Sequence, residues 1–509
     1  MKYMGGVSRN KIAKVHAGAL VGYLGEAIEV ETDIKSGLPS LQIVGMGNKA
    51  IDEARQRVRS AITNSMLEFP AQKITVNLAP AELPKDGTHL DLPIALSILV
   101  ASGQLKHTEV KDALFAGELA LDGSLRPIRG AILLAELARS LGLKRLFLPV
   151  QNVAQALLVD GIDIIGVTNL QELYMGLRGL APFPARPPIT PAVMPPPLHA
   201  AFDSIVGHEQ AKRALVIAAA GRHNILFSGS PGAGKTLLAK SLQSILPPLS
   251  PTETLEVTKL HSLATGDIEA VQRTPPFRAP HHSTTLSSLI GGGLKPRPGD
   301  ISLAHRGVLF LDELPEYPRT LLEALRQPLE ERTIHLSRLY GRITWPADIL
   351  LIATMNPCPC GFLGDSHTHC TCTRTQIDAY SKKLSGPLMD RIDLRLTISK
   401  VDHEHFFDAN TLNNSQHFKV LKLISTAREA QKKRYKRSDI YNAYASIEDI
   451  KHLFNVSAEA KKYASQASKK LSLTSRSYIR ILRVARTIAD LEESSFIEIA
   501  HISEALQFR

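Results

Sequence analysis

Three short apolar runs stand out in the second half of the chain, each stopped by a turn or a polar cluster. Residues 224–229 read NILFSG, residues 307–311 read GVLFL, and residues 348–355 read DILLIATM. Runs of this length without polar alternation predict strands buried on both faces, as in a parallel sheet covered by helices. The first run leads at once into the helical pattern LLAKSLQSIL, so strand and helix alternate as such a sheet requires. From about residue 403 no further strand pattern appears. Residues 419–435, 447–453, 458–470, 475–492 and 497–506 each read as helices and predict a small helical domain.

The first 180 residues mix the two periods. Residues 73–78 and 145–149 read as strands, residues 91–105 as a buried helix ending near Gly103, and residues 130–141 as a second helix. Residues 114–120 and 125–128 form a hairpin-like unit around the Asp122-Gly123 turn. Residues 181–199, APFPARPPITPAVMPPPLH, carry too much proline for a helix or a central strand and predict a stiff linker. The expected architecture is a multidomain α/β chain. It has an α+β domain over residues 1–180, the linker over 181–199, an α/β core over 200–402 and a helical domain over 403–509.

Composition narrows the class without naming the chemistry. A chain of 509 residues with 44% hydrophobic and 21% charged residues is ordinary for a soluble protein of several domains. No apolar run is long enough to span a bilayer, and the first thirty residues lack the compact apolar core of a signal peptide, so a cytoplasmic protein with no membrane role is expected. The net charge of +11 fits a polyanionic partner such as nucleic acid.

The chemistry lies at the ends of the three strands. Gly229, Ser230, Pro231, Gly232, Ala233, Gly234, Lys235 and Thr236 spell G-x-x-x-x-G-K-T between a strand and a helix. The glycines let backbone N–H groups turn toward phosphate oxygens, Lys235 reaches the β- and γ-phosphates, and the Thr236 hydroxyl ligates Mg²⁺. The following helix N-terminus favours the anion. The second run ends in Asp312-Glu313. Asp312 would hold Mg²⁺, and Glu313 is placed to polarise an attacking water. Together these predict binding and hydrolysis of a nucleoside triphosphate with Mg²⁺; that it is ATP is what the family resemblance below implies.

All four cysteines, Cys358, Cys360, Cys370 and Cys372, lie within fifteen residues, with His367 and His369 between the pairs. Thiolates gathered this closely suit tetrahedral Zn²⁺, although each pair is C-x-C, tighter than the usual C-x₂-C. The alternative is a loop of free or redox-active thiols. The cluster follows Asn356 directly, so the expected zinc is structural rather than catalytic.

In this order the elements resemble the AAA+ ATPases, more closely their magnesium-chelatase-like branch, and specifically the ComM (YifB) family of bacterial competence proteins. The stretches that carry the resemblance are SGLPSLQIVGMGNKAIDEARQRVRSAI, FPAQKITVNLAPAELPKDGTHLDLPIAL, FRAPHHSTTLSSLIGGG, PRPGDISLAHRGVLFLDEL, ALRQPLEE, ATMNPCPCG and RSYIRILRVARTIADL. The resemblance implies a hexameric, ATP-driven DNA motor that promotes branch migration of single strands during natural transformation, on single-stranded and branched DNA and alongside a recombinase. It implies that Asn356 is the sensor of water and γ-phosphate, that Arg391 is an arginine finger for a neighbouring subunit, and that Arg476 is a second sensor. Arg480, one turn on, is an alternative to Arg476. A local pairing of Arg391 with Asp390 or Asp393 is the plainer reading of that residue.

The N-terminal domain resembles the Lon protease domain, with a departure. Where that family has its serine and lysine, this chain has His89 and Ile132. With nucleophile and base both absent, no peptidase activity is expected. Two insertions mark the chelatase-like branch, one over residues 251–300 and a hairpin over residues 333–344. In related helicases such loops line a pore, so Lys295, Arg297, Arg338 and Arg342 are the DNA-contact candidates, against ordinary solvated loops. The basic run 432–437 reads as a solvated helix end, and His281 and His282 as structural. A chelatase-type remodeller and a protein unfoldase remain as competing functions.

Overall fold

The computed structural model describes residues 12–45, 49–83, 85, 87–183, 200–203, 205–264, 270–293, 296–338, 341–365, 368–400, 415–437 and 439–509, without the side chains of residues 49–52, 200, 201, 338, 341, 342 and 415. Most of the expected linker, residues 184–199, lies outside them. Two compact units result. One gathers the described parts of Met1–Val193, Ser250–Gln272 and Ser337–Thr344, and the other those of Met194–Leu249, Arg273–Leu336 and Trp345–Arg509. No helix among the described residues is long and apolar enough to cross a membrane.

The three apolar runs become strands Ile225–Gly229, Val308–Leu311 and Leu350–Met355 at the centre of the second unit. Its sheet is five-stranded and all parallel, in the order Phe277–Arg278, Val308–Leu311, Leu350–Met355, Ile225–Gly229, Leu394–Ile398. The edge strand Phe277–Arg278 comes from a segment expected to be insertion loop, and a two-residue strand leaves little periodic signal to read. Phe227, Phe310 and Ile352 share one buried cluster with residues of helix Glu209–Gly221 and of the C-terminal helices. Those helices run Ser415–Tyr435, Ile447–Leu453, Ala458–Lys470, Ser475–Leu491 and Ile499–Gln507, within a few residues of the sequence expectation.

The first unit holds a mixed seven-stranded sheet, ordered Ser40–Val44, Lys73–Ala79, Leu24–Lys35, Ala13–Val21, Ala113–Phe115, Arg145–Pro149, Asp163–Val167. Lys73–Ala79, Leu24–Lys35 and Ala13–Val21 are joined by antiparallel pairs, while the edge pair Ser40–Val44 with Lys73–Ala79 and the second half of the sheet are parallel. The buried helix expected over 91–105 is Asp91–Ala101, stopped by Ser102 and by Gly103 at φ +80°. Helix Pro251–Leu263 belongs to this unit. Lys259 Nζ stands 2.6 Å from Glu136 and 4.0 Å from the centre of the Tyr23 ring, and the Tyr23 hydroxyl donates to the Glu256 carbonyl at 3.3 Å. Much of the first insertion is therefore packed helix rather than free loop.

Candidate functional site

The phosphate loop occupies the carboxyl end of Ile225–Gly229, where an open parallel sheet presents its crevice. Gly232 and Gly234 have φ of +80° and +82°, values that let the loop curl before helix Lys235–Ile245 begins. Asn356 follows the adjoining strand Leu350–Met355, and Asp312-Glu313 follows the next strand over, Val308–Leu311, so three segments distant in sequence meet at the carboxyl edge of the sheet.

Their side chains are bonded together. Lys235 Nζ donates to the carbonyls of Gly229 at 2.5 Å and Ser230 at 3.0 Å, and to Asn356 Oδ1 at 3.1 Å. Burial lowers the Lys235 pKa from its ordinary value, while the Asp312 and Glu313 carboxylates oppose that fall. The Thr236 hydroxyl donates to Asp312 Oδ2 at 3.3 Å. The other Asp312 oxygen accepts from the Thr354 hydroxyl, and Thr354 Oγ1 accepts the Glu313 N–H at 3.0 Å. Thr354 therefore orients both acidic residues. Sequence reasoning passed over it, although a hydroxyl inside the apolar run LLIATM was the signal.

Glu313 sits at φ +55°, a left-handed conformation costing a non-glycine residue about 1–3 kcal/mol. It lines a cleft of about 740 Å³ with Asn356, His282, Glu316, Tyr380 and Lys383. His282 thus shares a cleft with the expected catalytic residues as well as packing locally. Its ring centre lies 3.9 Å from that of His281 and meets the Tyr317 ring edge-on, and the Tyr317 hydroxyl donates to the Pro280 carbonyl at 2.6 Å.

Arg391 and Arg476 line a second cleft of about 470 Å³, which none of the eight phosphate-loop residues lines. Arg391 donates to the Pro387 carbonyl at 2.6 Å and forms an ion pair with Glu330. Its acidic partner is thus neither of the neighbours in sequence, Asp390 and Asp393, but a residue from another helix. Arg480 is committed to backbone, donating to Ile392 O at 2.6 Å and Met389 O at 3.3 Å, whereas Arg476 in the first turn of its helix is exposed. Of the two candidates for second sensor, only Arg476 is exposed.

The four cysteine sulfurs all lie within 4.8 Å of one another. Backbone bonds from Phe362 and Thr371 bring the Cys360 thiol down to about 5, whereas, against the backbone bonds they accept, Cys370 and Cys372 are pushed up by burial and the neighbouring thiols. His369 is exposed and outside the cluster, and His367 lies outside the described residues.

The DNA-contact candidates are less completely placed. Arg297 is in strand Arg297–Pro298, paired with Gly291–Gly292. Arg338 ends strand Thr333–Arg338 and Arg342 is second in strand Gly341–Pro346, on the two limbs of the expected hairpin, with their side chains outside the described residues. Lys295 is outside them altogether. The basic run 432–437 is not simply a solvated end, because Arg434 is drawn inward to Asp490 and Asn442. In the first unit, His89 is buried with Nε2 2.9 Å from the Gly18 carbonyl, and Ile132 is fully buried.

Comparison with known proteins gives three family matches. The model described as "Magnesium chelatase, subunit ChlI" matches residues 201–406, "Subunit ChlI of Mg-chelatase" residues 30–152, and "Magnesium chelatase, subunit ChlI C-terminal" residues 415–509. The chain is 41% identical to the YifB protein of Escherichia coli (strain K12) over 97% of its own length and 96% of the relative's. It is 39% identical to competence protein ComM of Haemophilus influenzae over 98% of its length and 97% of that protein's. It is 27% identical to the magnesium-chelatase 67 kDa subunit of Heliobacterium mobile, over 44% of this chain and 37% of that subunit.

Proposed function

The chain belongs to the ComM/YifB-type, magnesium-chelatase-like family, and from that premise we propose that it is a ring-forming ATPase that drives DNA branch migration. The observation that carries the ATPase is the bonded set Lys235, Asn356, Thr236 and Asp312 at the end of a parallel sheet. The Thr236 hydroxyl and the Asp312 carboxylate are hard oxygen donors 3.3 Å apart, and they fit Mg²⁺ as the ion accompanying ATP. That ion would offset charge on the phosphates. Lys235 would hold the terminal phosphates, Asn356 the γ-phosphate and water, and Glu313 would polarise that water for in-line attack. Arg391 lines a cleft separate from this loop, together with the proposed second sensor Arg476, which supports service of Arg391 to a neighbouring subunit and therefore a ring, taken as a hexamer. The four cysteines would hold a structural Zn²⁺.

The DNA part of the reading rests on the similarity to a competence protein, on the net charge of +11, and on Lys295, Arg297, Arg338 and Arg342 in the two insertions. Homologous recombination of incoming single strands in the cytoplasm during natural transformation, beside a recombinase, is the cellular role proposed. The N-terminal unit is read as a Lon-like domain without peptidase activity, since His89 and Ile132 are core residues. The matches to chelatase subunits favour one rival, an ATP-driven remodeller of a metal-inserting complex.

The test is ATP hydrolysis and strand displacement on branched DNA, with Glu313→Gln and Arg391→Ala beside the unaltered chain. Hydrolysis stimulated by DNA, with branch movement lost in both variants, is the expected result. Brisk hydrolysis indifferent to DNA would transfer the chain to the remodeller reading.

A further inference from the structure

The cysteine loop touches the nucleotide site directly. Gly361, at φ +87°, lies against the phosphate loop, and a Cβ there would stand 2.7 Å from Pro231 Cδ and 3.9 Å from Asn356 Cγ. The Gly361 N–H donates to the Cys358 carbonyl at 3.0 Å, so the turn that meets Pro231 is closed by the first cysteine pair. The second pair is bound to the first, the Cys360 N–H donating to Cys372 Sγ at 3.3 Å. The loop is anchored just before its start and near its middle. Asp365 pairs with Lys400 at 3.0 Å, and the buried Tyr380 hydroxyl bonds the Asn356 backbone.

The four sulfurs are gathered closely enough to share one ion, all within 4.8 Å of one another. Cys358 and Cys360 are 3.3 Å apart, and each is 3.6 Å from Cys370. Four Zn–S bonds of about 2.3 Å at tetrahedral angles set sulfurs about 3.8 Å apart. A disulfide requires about 2.05 Å.

We infer that one zinc ion, held by Cys358, Cys360, Cys370 and Cys372, tightens nucleotide binding by bracing the phosphate loop through Gly361 and Pro231. The inference rests on the ATP-binding reading of that loop. With the ion in place the Gly361 turn is fixed against Pro231, and Asn356, one residue before the knot's first proline, is fixed against Lys235. Without it the turn is free to withdraw, and the loop must order itself at the expense of nucleotide affinity. Linkage makes the effect reciprocal, so bound nucleotide must tighten zinc by the same factor that zinc tightens nucleotide.

The experiment uses the full chain. Zinc and iron are measured by elemental analysis, and zinc transfer to a chromophoric chelator is followed with and without a non-hydrolysable ATP analogue. Binding of a fluorescent ATP analogue is measured before extraction, after it, and after zinc is restored. Gly361→Ala keeps all four thiols but presses on Pro231, so it remains informative where Cys370→Ser fails to fold. The expected result is one zinc per chain, analogue binding weakened about fivefold or more by extraction and recovered with zinc, and equal protection of zinc by the analogue. Gly361→Ala should retain zinc and bind nucleotide more weakly. Absence of zinc overturns the inference, and so does bound zinc whose removal leaves nucleotide affinity unchanged. A zinc-loaded chain that binds no ATP overturns the ATPase reading as well, while leaving the metal site standing.

Discussion

Asn356 Oδ1 accepts a hydrogen bond from Lys235 Nζ at 3.1 Å, across 121 residues of chain. The lysine is therefore held at the mouth of its loop by the residue expected to sense the γ-phosphate, and on the proposed reading the bond would be exchanged for phosphate oxygens on ATP binding. Lys235→Ala should abolish nucleotide binding. Asn356→Ala should leave binding nearly intact and lower kcat by about 10²–10³-fold, as removal of one preorganised hydrogen-bonding group does. Equilibrium binding of a fluorescent ATP analogue together with steady-state hydrolysis separates the two, and equal loss of binding in both variants would contradict the division of roles.

Arg391 offers a test of the shared site. Its ion pair with Glu330 must open if it serves a neighbour. Arg391→Ala should cost roughly 10³-fold in kcat. Mixing it with a Glu313→Gln chain should restore hydrolysis, because some interfaces then combine an intact Glu313 with an intact Arg391. Activity in the mixture no higher than in either variant alone would argue for a site complete within one chain.

The basic hairpin makes a prediction about salt. If Arg338 and Arg342 touch phosphates, each change to Ala should weaken single-stranded DNA binding uniformly across sequences. The slope of log affinity against log salt should become shallower by about 0.7 for each phosphate no longer neutralised. Fluorescence anisotropy at several salt concentrations measures it, and an unchanged slope removes the hairpin from the DNA surface.

Asp91 predicts a pH dependence in the N-terminal unit. Its carboxyl is pushed up to about 6, burial raising it and the Arg57 guanidinium at 2.8 Å opposing. A carboxyl raised in the folded state favours folding when protonated. Its contribution is complete below the ordinary value of 3.8 and is lost as pH rises through about 6. The total is about 3 kcal/mol at most. Thermal unfolding from pH 4 to 7 should show this component in the unaltered chain and lack it in Asp91→Asn.

Asp490 predicts a large loss of stability in the C-terminal helices. Its side chain is 1% exposed and it accepts from Arg434 and from Arg486, with Asn442 Nδ2 at 2.8 Å. Asp490→Ala leaves the buried Arg486 and the partly buried Arg434 without their countercharge and should destabilise by about 3–5 kcal/mol in urea unfolding. Removing the exposed Lys432, paired to Glu429 one helical turn away, should cost under about 0.5 kcal/mol.

What the sequence determined by itself was local in its physics. Gly232, Gly234 and Lys235 between a strand and a helix, and acids at the end of VLFL, are requirements of one turn or one strand end, so a short window of residues contains them. The helices after residue 415 were legible for the same reason, because a 3.6-residue period is a property of the segment alone. The family resemblance supplied Asn356, Arg391 and Arg476 where no local pattern would have. Tertiary structure alone decided what depends on packing between distant segments. It brought Thr354 under Asp312 and Glu313, His282 into the cleft with Glu313, Arg391 to Glu330, and Gly361 against Pro231. It also turned Arg434 from an apparent surface charge into the partner of a buried carboxylate, and folded helix Pro251–Leu263 into the N-terminal unit. Each of these is a choice among many sterically equivalent partners, and it is made by which apolar faces bury together, not by the order of residues along the chain.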